Sequence, residues 1–193
     1  TTNPRAKVLA FEPIERVCKK LKANILLNKF PIETSNFAIS DSDGTQLICD
    51  DLSIEHPYST TLNKNFAEKI FSTVNTYEIE TRTLDGLMLN YSVENSLLLI
   101  KVDVEQHEPY AIKGMLELIQ NVRPIILIEI LTQEIGDEIF SQIKNLNYGY
   151  YRIDEVKGLT KLATLDVIQL SSNRNFLLAH AETNLQSITE YIY

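Results

Sequence analysis

The chain has 193 residues, of which 44% are hydrophobic and 23% charged, a composition typical of one globular domain rather than a disordered, fibrous or membrane protein. Eighteen basic against twenty-six acidic residues give a formal net charge of −8, which repels nucleic-acid phosphates and anionic lipid surfaces. We therefore expect neither a nucleic-acid partner nor a membrane partner.

The apolar runs and the cysteines suggest where the protein works. The longest runs, at residues 97–100 and 125–131, are far shorter than the roughly 20 residues of a membrane helix. The first five residues lack the apolar stretch of a signal peptide, and Cys18 and Cys49 lack the spacing of metal or redox motifs. These features predict a reduced, cytoplasmic setting and leave a Cys18–Cys49 disulfide open.

The first half of the chain alternates between strand and helix patterns. An apolar run over residues 7–12 ends at Glu12 before Pro13 and predicts a buried strand, because proline has no N–H to donate. Apolar residues at helical spacing predict a helix over residues 14–28. Extended segments follow at residues 32–40 and 45–49, with a turn between them. Residues 50–76 are polar and weakly patterned, which predicts an irregular excursion that can hold a short helix.

The second half continues the alternation. Residues 77–84 predict a strand with one solvated face, and residues 97–105 predict a strand covered on both faces at the centre of a parallel sheet. Helical stripes at residues 111–119 and 135–146 flank an apolar run at 125–131, and strands are predicted at 148–153 and 165–170. The order predicts a single α/β domain over residues 1–193 with a doubly wound, mostly parallel sheet.

Acidic side chains end three of the predicted strands, where open parallel sheets bind their ligands. Glu12 closes the first strand, Asp103 and Glu105 close the central strand, and Glu129 lies near the end of the next. A carboxylate in the position of Glu12 can accept hydrogen bonds from both hydroxyls of a ribose. Equally, Glu12 can cap the helix after Pro13, where its charge meets the positive end of the helix dipole.

A compact polar cluster follows the central strand and comprises Asp103, Glu105, His107 and Glu108. A carboxylate or imidazole there can take a proton from a substrate hydroxyl or amine. A cluster with one histidine is more typical of a hydrogen-bonded loop than of a metal site, so we expect no metal. His56 and His180 have no nucleophile or ligand partner near them in the sequence, so we expect them to have surface or packing roles. No hydrolase, phosphate-loop or thiol-redox motif occurs.

Several segments, taken in order, resemble the FkbM-type S-adenosylmethionine-dependent methyltransferases. They include Ala-Phe-Glu-Pro at residues 10–13, Thr-Leu-Asp at 83–85, and Lys-x-Asp-x-Glu at 101–105 followed by Glu108. The order and spacing match from about residue 7 to 131 and more loosely to 170. The Ala-Phe-Glu-Pro segment alone is weak evidence for the family, but the series of segments in this order is fairly specific to it.

The resemblance implies a Rossmann-like domain that transfers a methyl group from S-adenosylmethionine to an oxygen of a sugar or small-molecule acceptor. By the same resemblance, Glu12 holds the ribose hydroxyls, and Ala38 and Ile39 belong to a turn near the adenine. The residues that it places at the methyl-transfer site are Asp103, which also contacts the cofactor, together with Glu105 and Glu108.

Two features depart from the family pattern. Gln106 stands where the family has glycine, and its Cβ disfavours a close backbone turn. The family's first strand and glycine-rich loop precede the Ala-Phe-Glu-Pro strand, whereas seven residues precede Val8 here and none of the six glycines lies in a Gly-x-Gly setting. We expect the domain to be N-terminally incomplete, without a central strand between those ending at Glu12 and Glu105.

Two other functions remain as alternatives. A non-catalytic methyltransferase-like domain would act as an interaction or assembly module. A dinucleotide oxidoreductase would also place Glu12 on a ribose, but it needs the same glycine-rich loop and leaves Asp103 and Glu105 without a role.

Overall fold

The computed structural model describes residues 6–51, 60–70, 74–89, 91, 98–154, 156, 158–165 and 174–183. Six helices lie within these ranges: α1 (Glu15–Asn28), α2 (Lys64–Ile70), α3 (Leu84–Met88), α4 (Glu108–Lys113), α5 (Leu116–Val122) and α6 (Gln133–Ile143). The strands in the same ranges are β1 (Val8–Phe11), β2 (Ile32–Ser35), β3 (Ala38–Ile39), β4 (Gly44–Asp51), β5 (Thr60–Thr61), β6 (Val74–Arg82), β7 (Leu99–Val102), β8 (Ile125–Glu129), β9 (Tyr148–Asp154), β10 (Gly158–Leu162) and β11 (Asn175–His180).

The described strands form three sheets. β1 pairs in parallel with β2, a four-stranded sheet has the order β3-β6-β4-β5, and a five-stranded sheet has the order β10-β9-β11-β8-β7. The α/β class is confirmed, but the doubly wound, mostly parallel sheet is not, because the sheets are mixed. β11 runs antiparallel to β8 and β9, while β10 follows β9 after a connection too short for a parallel crossover.

The strand expected at the centre of a parallel sheet differs most from its prediction. β7 does pair in parallel with β8, but β8 is its only ladder partner among the described strands. Its Leu99 side chain is 57% exposed, and Lys101 on the same face is exposed as well. Among the described strands, β1 likewise pairs only with β2. The further strand predicted between β1 and β7 stays a prediction.

Two apolar clusters hold the elements that carry the candidate site. The larger contains Ile112, Ile119, Ile126 and Ile139, and it packs α4, α5 and α6 against the five-stranded sheet. The smaller brings α1 against the four-stranded sheet through Ile14, Ala38, Ile48 and Ile79. The ends of β7 and β8 and the turn after β3 are therefore each anchored to a packed core.

Most predicted elements are present with altered bounds. The segment at residues 32–40 divides into β2 and β3, and the helical stripe at 111–119 divides into α4 and α5. The second division coincides with Gly114, where a Cβ would lie 1.9 Å from the Ser40 carbonyl oxygen. β10 and β11 were not predicted. Of the strand predicted at 165–170, residues 166–170 lie outside the described residues, and Leu165 is not in a strand.

The predicted excursion at residues 50–76 contains the end of β4, then β5, the short helix α2 and the beginning of β6. Residues 52–59 and 71–73 of that segment, including His56, lie outside the described residues. Cys18 and Cys49 are both buried and free, so they form no disulfide. Among the helices that the structure describes, none has the length and apolar character required to cross a membrane.

Candidate functional site

Three acidic side chains lie together at the carboxyl ends of β7 and β8. Val102 and Ile128 are in register, so the next residues of the two parallel strands are Asp103 and Glu129. Burial raises the pKa of Glu105, and the neighbouring Asp103 and Glu129 carboxylates raise it further. Burial and then Asp103 also raise the pKa of Glu129. Asp103 itself is exposed and accepts a hydrogen bond from Lys101 Nζ at 2.6 Å.

The turn that carries Glu105 has an unusual backbone. Glu105 and Gln106 are consecutive non-glycine residues with positive φ, at 50° and 73°. The left-handed conformation costs an L-residue about 1–2 kcal/mol, and glycine adopts it without this cost. The structure thus explains why glycine suits the position of Gln106, and it shows that the chain makes the turn with glutamine.

Glu108 holds this turn from inside. Its side chain is only 1% exposed, and its Oε1 accepts hydrogen bonds from the backbone N–H groups of Val104 at 3.3 Å and Gln106 at 3.2 Å. Oε2 has no hydrogen-bond partner among the described residues. Burial raises the pKa of Glu108 to about 7, although the backbone hydrogen bonds oppose this shift. The carboxyl is therefore directed to the turn rather than to solvent.

A further contact, not found from the sequence, comes from Thr61. Its Oγ1 donates a hydrogen bond to the Glu105 carbonyl oxygen at 2.5 Å, across 44 positions of sequence. Thr61 lies on β5, in register with Cys49 of β4. A threonine in a polar segment carries no pattern that points to a partner so distant in sequence.

His107 joins the same turn to the segment after β3. Its Nε2 lies 2.9 Å from Ser40 Oγ, and its ring stacks on Tyr110 with 4.7 Å between centroids. Burial lowers the pKa of His107 to about 4, so the imidazole is neutral at pH 7. Asp41 accepts a hydrogen bond from Lys113 Nζ at 2.8 Å, which adds a second link between this segment and α4.

The two residues expected near an adenine have packing roles. Ala38 is buried with Ile14, Ile48 and Ile79, and Ile39 packs against the larger core. A ligand beside Ala38 would therefore meet backbone atoms rather than this side chain.

Glu12 lies directly after β1, in a second charged group. Its Oε1 accepts a hydrogen bond at 2.8 Å from the N–H of Ile14, the residue immediately before α1, and its role in helix capping stays an interpretation. Burial raises the pKa of Glu12 and the Arg16 guanidinium opposes the shift. Arg16 binds the fully buried Asp50 through Nε at 3.1 Å and Nη2 at 2.5 Å.

The β4–β5 pair connects the two acidic groups. Asp50, which pairs with Arg16 beside Glu12, is in register with Thr60, and the adjacent Thr61 binds the Glu105 carbonyl. Both Glu12 and Asp103 directly follow a strand, and that they line one cleft stays a prediction.

In the described ranges, no group of three or more His, Cys, Asp or Glu side chains is arranged to hold a metal ion. His180 is buried and packs edge-on against Tyr148, with ring centroids 5.8 Å apart, as its predicted packing role requires.

Comparisons with known proteins identify the family. The model of the methyltransferase FkbM domain matches residues 1–150. Among solved structures, the crystal structure of methyltransferase FkbM from Methylobacillus flagellatus KT at 2.20 Å resolution is 15% identical, with a TM-score of 0.47. The alignment covers 89% of this chain and 36% of that chain, so this chain spans about a third of that protein. Among curated proteins, no match to the sequence was found. Because the family model covers most of its length, this chain belongs to the FkbM methyltransferase domain family.

Proposed function

We propose that this chain takes part in S-adenosylmethionine-dependent methylation of a hydroxyl oxygen on a sugar or other small molecule. The observation that supports it is the group formed by Asp103, Glu105 and Glu129 at the carboxyl ends of two neighbouring parallel strands, in a chain of the FkbM methyltransferase family. Parallel strands bind ligands at their carboxyl ends.

The residues present suit the ribose end of the cofactor. Glu12 is half-buried at the end of β1, and a carboxylate is the acceptor that a ribose diol requires. No glycine of the described chain lies in a Gly-x-Gly loop that could hold the methionine part. We propose that such a loop follows a first strand, and that both precede Val8 in a longer natural chain. When bound, the cofactor supplies a methyl group on a positively charged sulfur.

The acidic residues would act on the acceptor. Glu105 is half-buried, and its raised pKa makes its carboxylate a better base for a hydroxyl proton than an ordinary glutamate. Asp103 is exposed beside it and can accept a hydrogen bond that orients the hydroxyl. We assign Glu108 to holding the turn, because its carboxyl is buried against the backbone.

Calorimetric titration with S-adenosylhomocysteine tests the proposal. We expect weak binding or none to the 193-residue chain, and binding by a form extended at its N-terminus to include the predicted strand and loop. Binding to the short chain tighter than about 10 μM, near −7 kcal/mol, would show that no further loop is needed.

The role of Glu12 is tested in the extended form. Glu12→Ala should weaken binding by about 1–3 kcal/mol, or roughly 5- to 150-fold, because hydrogen bonds to a charged group are lost. Glu15→Ala is the matched control, since Glu15 is a nearby exposed acid in the first turn of α1 that pairs with Lys19. Equal effects of the two changes would restrict Glu12 to helix capping. Absence of binding by the extended form would favour a non-catalytic module.

A further inference from the structure

The peptide group between Glu105 and Gln106 is held at both ends by side chains. Its carbonyl oxygen accepts from Thr61 Oγ1 at 2.5 Å, and its N–H donates to Glu108 Oε1 at 3.2 Å. Rotation of this peptide would change ψ of Glu105 and φ of Gln106, the torsions next to the peptide. Neither contact can be kept if the peptide turns over, because its donor and acceptor would exchange directions.

The Thr61 hydroxyl is itself oriented. It accepts a hydrogen bond from the Asn63 N–H at 3.0 Å, which leaves its own proton for the Glu105 carbonyl. Thr61 is 1% exposed and Glu108 equally so, so water does not compete for either contact. The two side chains approach from different parts of the chain, one from β5 and the other from the start of α4.

We propose that Thr61 and Glu108 are positioning residues that clamp this peptide and thereby fix where the Glu105 carboxyl lies. Two consecutive left-handed residues without glycine persist only where surrounding contacts hold them, and these two hydrogen bonds provide such contacts. The importance of the clamp for catalysis rests on the proposed function, in which Glu105 faces the acceptor. The clamp itself is a property of the present chain and can be tested without any cofactor.

The test compares Thr61→Val, which removes the hydroxyl at nearly constant shape, with Thr61→Ser, which keeps it. In isotope-labelled protein, nuclear magnetic resonance reports φ of Gln106 through three-bond couplings, ψ of Glu105 through backbone carbon shifts, and the pKa of Glu105 through its side-chain carbon. We expect Thr61→Val to lose the left-handed φ at Gln106 and to change ψ at Glu105, the two torsions next to the released peptide. The Glu105 pKa should also fall toward its ordinary value as the carboxyl leaves its half-buried place beside Asp103 and Glu129. Thr61→Ser should match the parent protein.

Unchanged couplings and an unchanged Glu105 pKa in Thr61→Val would overturn the proposal and leave Thr61 as a partner of Asn63 alone. If Thr61→Val does not fold, the double variant Thr61→Val with Gln106→Gly decides, because glycine adopts the left-handed conformation without a tether. The clamp predicts that Gln106→Gly restores folding, and failure to do so contradicts it. Absence of S-adenosylhomocysteine binding by the N-terminally extended form would refute the proposed function and leave these measurements valid.

Discussion

The buried carboxyl of Glu108 makes a pH-dependent contribution to stability that a single isosteric change removes. Its pKa is raised from 4.5 to about 7 by burial, so the folded protein holds the proton more tightly than the unfolded chain. For an acid with a raised pKa, the ionised form is the unfavourable one in the folded state. Stability is therefore lost as pH rises through the window from 4.5 to about 7, and the loss is complete above it.

Glu108→Gln should abolish this loss. Glutamine keeps an Oε1 that can accept hydrogen bonds from the N–H groups of Val104 and Gln106. Its amide nitrogen replaces Oε2 with a neutral group, and protonated Glu108 is likewise neutral there. A difference of 2.5 pKa units (7 − 4.5) at 1.36 kcal/mol per unit is about 3 kcal/mol, so the variant should be more stable by about that amount at pH 8. The advantage should be about 2 kcal/mol at pH 6 and close to zero at pH 4.

Urea unfolding followed by far-ultraviolet circular dichroism at several pH values gives the free energies of unfolding. The quantity to plot is the difference between variant and parent, because the neighbouring His107 acts in the opposite direction. Its pKa is lowered to about 4, so it costs stability as pH falls below 6.5, in both proteins alike. A difference that does not change between pH 4 and 8 would refute the reasoning.

Two further changes test the turn and the core. Gln106→Gly should cost nothing and gain up to about 1 kcal/mol, because relief of the left-handed conformation offsets the added freedom of the unfolded chain. The same exchange at exposed, helical Gln120 should cost about 1 kcal/mol, and equal losses at both sites would contradict the assignment. Ile139→Ala, in the larger core, should cost about 2–5 kcal/mol in thermal or urea unfolding. Glu138→Ala, exposed on the same helix, should stay within about 0.5 kcal/mol.

Elements with strong local patterns could be predicted from the sequence. Helix α1 begins one residue after the predicted start and ends at Asn28 as expected, because its apolar spacing and the preceding Pro13 define it locally. β8 lies within the predicted apolar run and ends at Glu129. The acids at the carboxyl ends of β7 and β8 could also be predicted, since a polar residue at the end of an apolar run marks the end of a buried strand.

Pairing between distant segments could not be predicted. Residues 175–180 have an apolar run much like those of parallel strands, yet β11 pairs antiparallel on both sides. Strand direction depends on how the chain returns to the sheet, which the local pattern does not contain. The apolar residues of β7 predicted burial on both faces, but Leu99 is exposed where this edge has no described partner.

The contacts of Thr61 and Asp50 show how the excursion after β4 can influence both acidic groups. Asp50 is fully buried and binds Arg16 beside Glu12, whereas Thr61 holds the carbonyl of Glu105. Both residues belong to the β4–β5 ladder, so a shift of that ladder moves two sites that are far apart in sequence.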